Sequence, residues 1–520
     1  MGQGMSTDED TDTLLLPWCC RRRCGEYGFC SFGGALSVSA LGSPDCATGS
    51  TDGTSDARQR APTWSLPQST LTRCRTAALP RRHLVLHMDI NKTVLMTDSV
   101  CKKSATTIVN EVLSDVAWGS EVDGRWVLSV AEPSVKRPPP KDGNGEILSY
   151  AEWLESVLPG SSNRREREAR TGRFTSDGEP GAALNRYMGR LMSSLCRPDG
   201  SPVQIIPSFF QLLLFLKHSK RSFTLCFRTF GEDLQRVLDE LNSFCEGRHP
   251  SFPEVCMDGS DGEADYRFHA SNAEQYGTFH RDDDCTSLVL GTWEQPGEGR
   301  YREVTDRSLS FYSSSRLGGR TICGIGSVCD FMEDSLSRPG TVALRDHFLF
   351  WKSKGFSSAG GKVFFVQRPS PLASVHHVFF DDNIRFCDAH IVQLLDRNDL
   401  ETSIWAGSVL HSHLCKAVPW ESIPDHDYFI KHVQRLEDGF DRSMRARERC
   451  RKVLWKIRLS RSVVGRIMEK CPTTMSPHDP WKGLRLTDRD VSVATHGEFE
   501  ERCDHELDGE EDGQATRPLQ

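Results

Sequence analysis

Short apolar runs bounded by polar residues recur along the middle of this chain, and they predict buried strands. Four of them stand out, at residues 84–88, 223–227, 363–366 and 375–380. Continuous apolar runs of this length are typical of parallel strands that are covered on both faces. Periodicity alone does not distinguish such a run from a segment of buried helix, so this alternative stays open.

Helical spacing of apolar residues follows several of these strands. Residues 207–216 read as an apolar helix with Ser208 as its N-cap, and residues 233–244 place Leu234, Val237 and Leu238 on one face. Further helices are predicted at 106–113, 150–158, 344–351, 386–395 and 430–457. Strands that alternate with helices are typical of βαβ units, so the pattern predicts an α/β fold with a Rossmann-like parallel sheet.

The remaining segments lack a clear period and set the expected domain boundaries. Residues 1–80 and 471–520 are polar, and we expect a disordered leader and a disordered acidic tail. Between them we expect an α/β core over 81–430, interrupted by long insertions at about 114–205 and 246–340, and then a basic helix at 431–470. We interpret the charged run 164–170 as a solvated loop, and we expect strands at 125–128 and, within an otherwise irregular insertion, at 286–290.

Composition narrows the classes of protein that the chain resembles. A formal net charge of -8 over 520 residues argues against a general nucleic-acid binder. There is no apolar stretch long enough to cross a membrane and no secretory signal pattern. The 19 cysteines have no repeating spacing, which favours reduced thiols and a cytoplasmic location.

The first 30 residues allow two other interpretations. Gly2 fits the pattern for N-myristoylation, and Cys19 and Cys20 beside three arginines would supply the second anchor that stable membrane contact needs. The protein would then be peripheral to a membrane. Four cysteines at 19, 20, 24 and 30 are also formally a zinc set, but adjacent cysteines suit a tetrahedral site poorly.

Polar side chains follow three of the predicted strands. Asp89, with Asn91 and Thr93, follows the first; Thr229 follows the second; Asp381 and Asp382 follow the last. The carboxyl ends of parallel strands meet at one sheet edge, so these groups should converge. Adjacent carboxylates repel unless a cation offsets the repulsion, and Mg²⁺ would do so. The alternative is that each Asp or Asn forms a turn and that Thr229 caps the next helix.

This ordered set resembles the haloacid dehalogenase-like superfamily, with the likeness spanning roughly residues 82–396. The resemblance implies that Asp89 is a nucleophile that forms an aspartyl-phosphate and also binds Mg²⁺. By the same resemblance Thr229 would bind phosphoryl oxygens, and Asp381 and Asp382 would hold the metal. Lys362 is the expected site lysine, with Lys352 and Lys354 as rivals, and the two long insertions would be caps that select the substrate.

Asn91 departs from the family pattern, which has an acid at this position. It could still give its backbone carbonyl to the metal, but an amide cannot exchange the proton of a leaving group. General acid–base catalysis is worth roughly 10²–10⁴-fold. We therefore expect a Mg²⁺-dependent phosphatase or phosphotransferase that is weak or restricted to good leaving groups, acting on a phosphorylated small molecule or protein. The alternative is a pseudoenzyme that serves as a phosphate-binding or scaffold module.

Overall fold

The computed structural model describes residues 82–139, 146–197, 200–253, 255–370, 372–385 and 391–468. The leader with Gly2, Cys19 and Cys20 lies outside these ranges, as does the acidic tail. Expectations about lipid anchors, zinc and disorder therefore concern residues outside the described part of the chain.

The described chain alternates strands and helices, as the apolar pattern predicts. The strands are β1 (His83–Asp89), β2 (Trp118–Val122), β3 (Arg125–Leu128), β4 (Leu148–Ser149), β5 (Phe223–Thr229), β6 (Tyr276–Arg281), β7 (Thr286–Leu290), β8 (Thr321–Cys323), β9 (Gly340–Arg345), β10 (Lys362–Val366), β11 (Val375–Asp381), β12 (Val392–Asp396), β13 (Asp399–Ser403) and β14 (Leu414–Lys416). The α-helices are α1 (Ala105–Val116), α2 (Tyr150–Val157), α3 (Arg164–Thr171), α4 (Asn185–Ser194), α5 (Pro207–His218), α6 (Leu234–Cys245), α7 (Ser310–Ser314), α8 (Ile325–Leu336), α9 (Phe348–Ser353), α10 (Pro419–Ser422) and α11 (Tyr428–Met468).

An eight-stranded, mostly parallel sheet forms the centre, in the order β14-β11-β1-β5-β9-β6-β7-β8. The pairs from β14 to β6 are parallel, whereas β7 pairs antiparallel with both β6 and β8. From β1 the chain moves to β5 and β9 on one side, and it later returns to place β11 and β14 on the other. The direction of winding therefore switches at β1, and in open α/β sheets ligands bind at the carboxyl ends of strands at such a switch.

Both faces of β1 are covered, which is why its apolar run is continuous rather than alternating. Leu84, Leu86 and Met88 belong to a core that also contains side chains of α1, α5 and α6. Val85 belongs to a second core on the opposite side, with side chains of α8 and β10. The expected Rossmann-like α/β arrangement is thus present at the level of layers and strand direction.

Two small sheets accompany the large one. β2, β3 and β4 form an antiparallel sheet within the insertion that follows β1. β10, β12 and β13 form the other, in which β10 and β12 are parallel. The strand β10, which carries Lys362, is therefore in a different sheet from β1, β5 and β11.

Several sequence-based expectations are wrong. The described part of the expected helix 386–395 is residues 391–395, and four of these belong to the strand Val392–Asp396, which pairs with β10. Residues 340–345 are a strand, and the expected helix at 344–351 begins only at Phe348. Short apolar runs carry little information about helix against strand, and here long-range pairing decides.

The polar segment 246–340 is more regular than expected, because β6, β7, β8 and α8 extend the main sheet and its covering layer. The charged run that we interpret as a loop is helix α3, which is supported by the ion pairs Arg164–Glu168 and Arg170–Glu166 at helical spacing. Ser208 is not an N-cap: Ile206 occupies that position, and the Ser208 hydroxyl donates to the carbonyl of Ser422 at 2.7 Å.

The described residues divide into two compact units, of which the first holds almost all residues up to Asp438. The second holds residues 439–468 of α11 together with residues 369–370. Among the described helices, none combines the length and the apolar character needed to cross a bilayer.

Candidate metal and phosphoryl site

Three neighbouring parallel strands deliver the predicted site residues to one edge of the main sheet. Asp89, Thr229 and Asp381 are each the last residue of their strand. β1 lies between β5 and β11, and Asp89 is paired in register with Arg228, one residue before Thr229. The convergence that parallel pairing predicts is therefore present.

The carboxylates of Asp89, Asp381 and Asp382 form a compact cluster. One oxygen of each lies within 4.8 Å of the others. Asp381 is fully buried and Asp89 is 7% exposed, while Asp382 is partly exposed. Hard carboxylate oxygens at this spacing are a donor set that suits Mg²⁺.

The Lys362 ammonium lies against two of these carboxylates. Its Nζ donates to Asp89 Oδ1 at 2.5 Å and to Asp381 Oδ2 at 2.9 Å. Burial alone would lower the pKa of Lys362, but Asp381 and Asp89 raise it above its ordinary value, so the amine stays charged. If all three carboxylates are ionised, they exceed the one ammonium that contacts them by two negative charges, and a divalent cation would offset this excess.

The pKa values of two carboxyl groups in the cluster reflect this excess of negative charge. Burial raises the pKa of Asp89 to about 7; Lys362 opposes this effect, and Asp381 adds to it. Burial also raises the pKa of Asp382 well above its ordinary value, with further increases from Asp381 and Asp89. A cation held by these oxygens would return both groups to the charged form, so the donor set fits a divalent metal on chemical grounds.

The two rival lysines lie elsewhere. Lys354 forms an ion pair with Asp283, and Lys352 is exposed on α9. Lys362 is 1% exposed. Of the three candidates, the structure brings Lys362 to the carboxylates.

Two buried arginines hold the strand that presents Lys362. Arg228 donates to the carbonyl of Val363 at 3.0 Å, and Arg281 donates to the carbonyl of Gly361 at 2.6 Å. These carbonyls belong to the residues on either side of Lys362. Because β10 is not in the main sheet, these bonds fix Lys362 relative to β5 and β6 in place of a strand ladder.

Arg228 and its partner are site-supporting residues that the sequence analysis does not identify. The Arg228 guanidinium binds both oxygens of Asp346, at 2.9 and 2.5 Å, and the pair is buried. The backbone amide of Asp346 in turn donates to the carbonyl of Thr229 at 2.7 Å. A charged residue inside the apolar run 223–229 is the signal that could have indicated a buried ion pair.

Thr229 and Asn91 border one small space. The Thr229 hydroxyl oxygen accepts from the backbone amide of Gly231 at 2.9 Å, which leaves its hydrogen free to donate. A Cβ built on Gly231 would lie 3.3 Å from Asn91 Oδ1 and 3.4 Å from Thr229 Oγ1. Thr229 thus orders the loop after β5 and does not cap α6, whose N-cap residue is Asp233.

The loop after β1 is a compact turn whose side chains contact different parts of the protein. The backbone amides of Thr93, Val94 and Leu95 all donate to the carbonyl of Ile90. The Thr93 hydroxyl donates to Asp89 Oδ2 at 3.1 Å, so each oxygen of the expected nucleophile has a donor. Lys92, at a φ of 60°, forms an ion pair with Glu111 of α1 at 2.8 Å.

The amide of Asn91 is engaged by the protein itself. Its Nδ2 donates to the carbonyl of Thr97 and to Asp233 Oδ2, both at 3.1 Å. Of the residues expected at the metal, Asp89, Asp381 and Asp382 are therefore grouped by their side chains, whereas the Asn91 side chain is committed to other partners.

Comparison of the chain with protein-family models, curated proteins and solved structures gives no match. The likeness to the haloacid dehalogenase-like superfamily therefore depends on the motif residues and on their geometry.

Proposed function

We propose that this protein is a Mg²⁺-dependent phosphatase or phosphotransferase of the haloacid dehalogenase-like type, restricted to phosphates with good leaving groups. One observation carries the proposal: a buried carboxylate at the central strand end, Asp89, contacts a buried ammonium and lies in an acidic cluster with an excess of negative charge. Structural ion pairs do not need three carboxylates for one lysine, because the extra charges are costly to bury.

The chemistry follows from the groups present. A carboxylate oxygen of Asp89 attacks phosphorus, the new oxygen–phosphorus bond forms, and the leaving group departs with the electron pair of the broken bond. Water or an acceptor hydroxyl then attacks the phosphorus of the aspartyl-phosphate. The bond to Asp89 breaks, its electron pair returns to the carboxylate, and the proton of the attacking oxygen passes to a phosphoryl oxygen or to solvent. Lys362 and the Thr229 hydroxyl would donate to the phosphoryl oxygens and hold them during both steps. Mg²⁺ bound by Asp89, Asp381 and Asp382 would offset the charge of those oxygens.

The restriction to good leaving groups rests on Asn91. A leaving group such as the carboxylate of an acyl phosphate departs as a stable anion, whereas an alkoxide needs a proton that an amide cannot supply. The same residue favours a second candidate, a module that binds Mg²⁺ and phosphate without turnover.

The test is Mg²⁺-dependent hydrolysis of acetyl phosphate, an aryl phosphate and an alkyl phosphate by the full chain. We expect turnover of acetyl phosphate, less of the aryl ester, and the least of the alkyl ester. Asp89→Asn should abolish all turnover, whereas Asp239→Asn, on the exposed side of α6, should leave it unchanged. Equal rates for wild type and Asp89→Asn would exclude the enzyme; Mg²⁺-dependent phosphate binding without turnover would support the binding module.

A further inference from the structure

The side-chain amide of Asn91 has only one orientation that its neighbours permit. Both groups that contact its Nδ2, the carbonyl of Thr97 and the carboxylate of Asp233, are acceptors. An inverted amide would place its oxygen against two other oxygens and lose both bonds. The donor end of the amide is thereby turned toward Asp233 and the acceptor end away from it.

Asp233 is itself fixed in place. It is 3% exposed, and its Oδ2 also accepts from the backbone amide of Ser99 at 3.2 Å. Its other oxygen lies 4.0 Å from the guanidinium of Arg236, which donates to the Thr97 hydroxyl at 2.8 Å. The carboxylate therefore ties the start of α6 to the loop after β1 and makes no side-chain cap of its own helix.

The acceptor end of the amide borders the space beside Thr229. Asn91 Oδ1 and Thr229 Oγ1 lie 3.3 and 3.4 Å from the position that a Cβ of residue 231 would occupy. A carbonyl oxygen here accepts a hydrogen bond from a water or a hydroxyl, but it has no proton to give. It would also repel a negatively charged phosphoryl oxygen.

We propose that Asp233 is a positioning residue that makes position 91 a pure acceptor, and that the Asn91–Asp233 pair sets the specificity for leaving groups that depart without a proton. The inference rests on the proposed function. It has a consequence for reversion. Asn91→Asp alone would set a second carboxyl group against Asp233, and the two groups would share a proton that lies between them, where the Asn91 amide now donates. When Asp233 becomes an amide as well, it can donate to the facing oxygen of the carboxyl group introduced at position 91, and the acid proton can lie on the oxygen that borders the space beside Thr229.

The experiment uses the full chain with Asn91→Asp, Asp233→Asn and the double variant. Two controls make the same chemical changes on the surface: Asn185→Asp at the exposed start of α4, and Asp239→Asn on the exposed side of α6. Each protein is assayed with acetyl phosphate and with an alkyl phosphate in Mg²⁺. Each is also melted at one neutral pH without metal.

For turnover, we expect the double variant to gain roughly 10²–10⁴-fold over wild type on the alkyl phosphate, the range that a general acid supplies. Asn91→Asp alone should reach less than a tenth of that gain. These gains refer to kcat/KM, which reports formation of the aspartyl-phosphate. The kcat/KM for acetyl phosphate, whose leaving group needs no proton, should change by far less, and the controls should behave as wild type.

For stability, we expect Asp233→Asn to shift the melting temperature in opposite directions in the wild-type and Asn91→Asp backgrounds. Asp233→Asn should lower the melting temperature of the wild-type protein, because the acceptor for Asn91 Nδ2 becomes weaker. In the Asn91→Asp background the same substitution should raise the melting temperature, because two facing carboxyl groups must either repel or take up a proton at neutral pH, whereas an amide donates to the carboxylate without that cost. The controls should show no such reversal.

The outcomes separate this inference from the proposed function. Absence of Asp89-dependent turnover of acetyl phosphate would remove the proposed function, while the melting temperatures would still test the pairing of Asn91 with Asp233. If Asp233→Asn shifts the melting temperature in the same direction in both backgrounds, the positioning role is wrong. If Asn91→Asp alone gains as much alkyl phosphatase activity as the double variant, Asp233 does not set the specificity.

Discussion

Replacement of Lys362 by methionine tests whether the acidic cluster is a cation site. The side chain becomes one atom shorter and loses the charge that contacts Asp89 at 2.5 Å and Asp381 at 2.9 Å. Removing one partner of a buried ion pair costs about 3–5 kcal/mol, because the other charge stays buried without compensation. In the absence of metal we therefore expect the free energy of unfolding to fall by about this amount.

Added Mg²⁺ should have a larger effect on the variant than on the wild type. With Lys362 present the ionised cluster carries two negative charges, and with methionine it carries three, so a divalent cation gains more attraction and relieves more repulsion. The increase in the free energy of unfolding between EDTA and Mg²⁺ should be greater for Lys362→Met. Turnover should be lost in both conditions.

The measurement is urea denaturation at a fixed pH, in EDTA and in Mg²⁺, with Lys352→Met as the matched control. Lys352 is exposed on α9, so its replacement should change the free energy of unfolding by less than about 0.5 kcal/mol. A loss below about 1 kcal/mol for Lys362→Met would refute the energetic reasoning. Equal responses to Mg²⁺ in variant and wild type would refute the cation site.

Two further substitutions test the surroundings of the site. Gly361→Ala should destabilise the protein by about 1–3 kcal/mol and slow turnover, because its Cβ would lie 2.5 Å from the carbonyl oxygen of Ile391 and must displace the strand that carries Lys362. The control is Gly189→Ala, whose Cβ would have no neighbour within 4 Å and should not destabilise the protein. Thermal melting distinguishes the two variants. Burial raises the pKa of Glu298 to about 7, and Arg345 partly offsets this effect. The folded protein therefore holds the Glu298 proton more tightly than the unfolded chain does. The stability that this proton contributes is complete below pH 4.5 and is lost as the pH rises through 7. In urea denaturation Glu298→Gln should therefore match wild type at pH 4 and be more stable by about 3 kcal/mol at pH 8; equal pH profiles would contradict this.

The part of the fold that the sequence predicts well is the part whose strands are buried on both faces. β1, β5 and β11 are buried and mostly apolar, and the polar residues that end them mark the sheet edge. Their direction follows from the helical segments between them, and parallel direction brings Asp89, Thr229 and Asp381 together. The candidate carboxylates were therefore predictable from local pattern and one general property of parallel sheets.

Of the strands in the segment 246–340, β7 is the one that the sequence predicts, at 286–290. The strand β6 was not predictable in the same way, because several of its buried residues are polar. In β6 the Thr278 hydroxyl accepts from Gln295 at 2.6 Å, and the His280 ring bonds the carbonyl of Arg307 at 2.9 Å. Both residues are buried. A pattern of apolar positions cannot identify a strand whose burial depends on hydrogen bonds to distant residues.

Asn91 shows that, at the site too, a contact between residues far apart in the sequence cannot be predicted from local pattern. The sequence shows an amide at position 91, where the resembled family has an acid. Its partner Asp233 lies 142 positions further along the chain, and the sequence around Asp233 indicates only the start of a helix. An Asp at a helix start is ordinarily a cap, and only the tertiary contact shows that its carboxylate is used for the amide of position 91.

Lys362 adds a physical reason why site geometry is harder to predict than site composition. A strand within the main sheet would be fixed by its backbone ladder, but β10 lies in a separate sheet, from which its Lys362 side chain contacts Asp89. Its position depends on Arg228 and Arg281, whose guanidinium groups bind the carbonyls on either side of Lys362. Each arginine is costly to bury, and burial lowers the pKa of Arg281 to about 10. A charged residue inside or at the end of a buried strand therefore predicts a specific tertiary contact, because the fold must offset the cost of burying the charge.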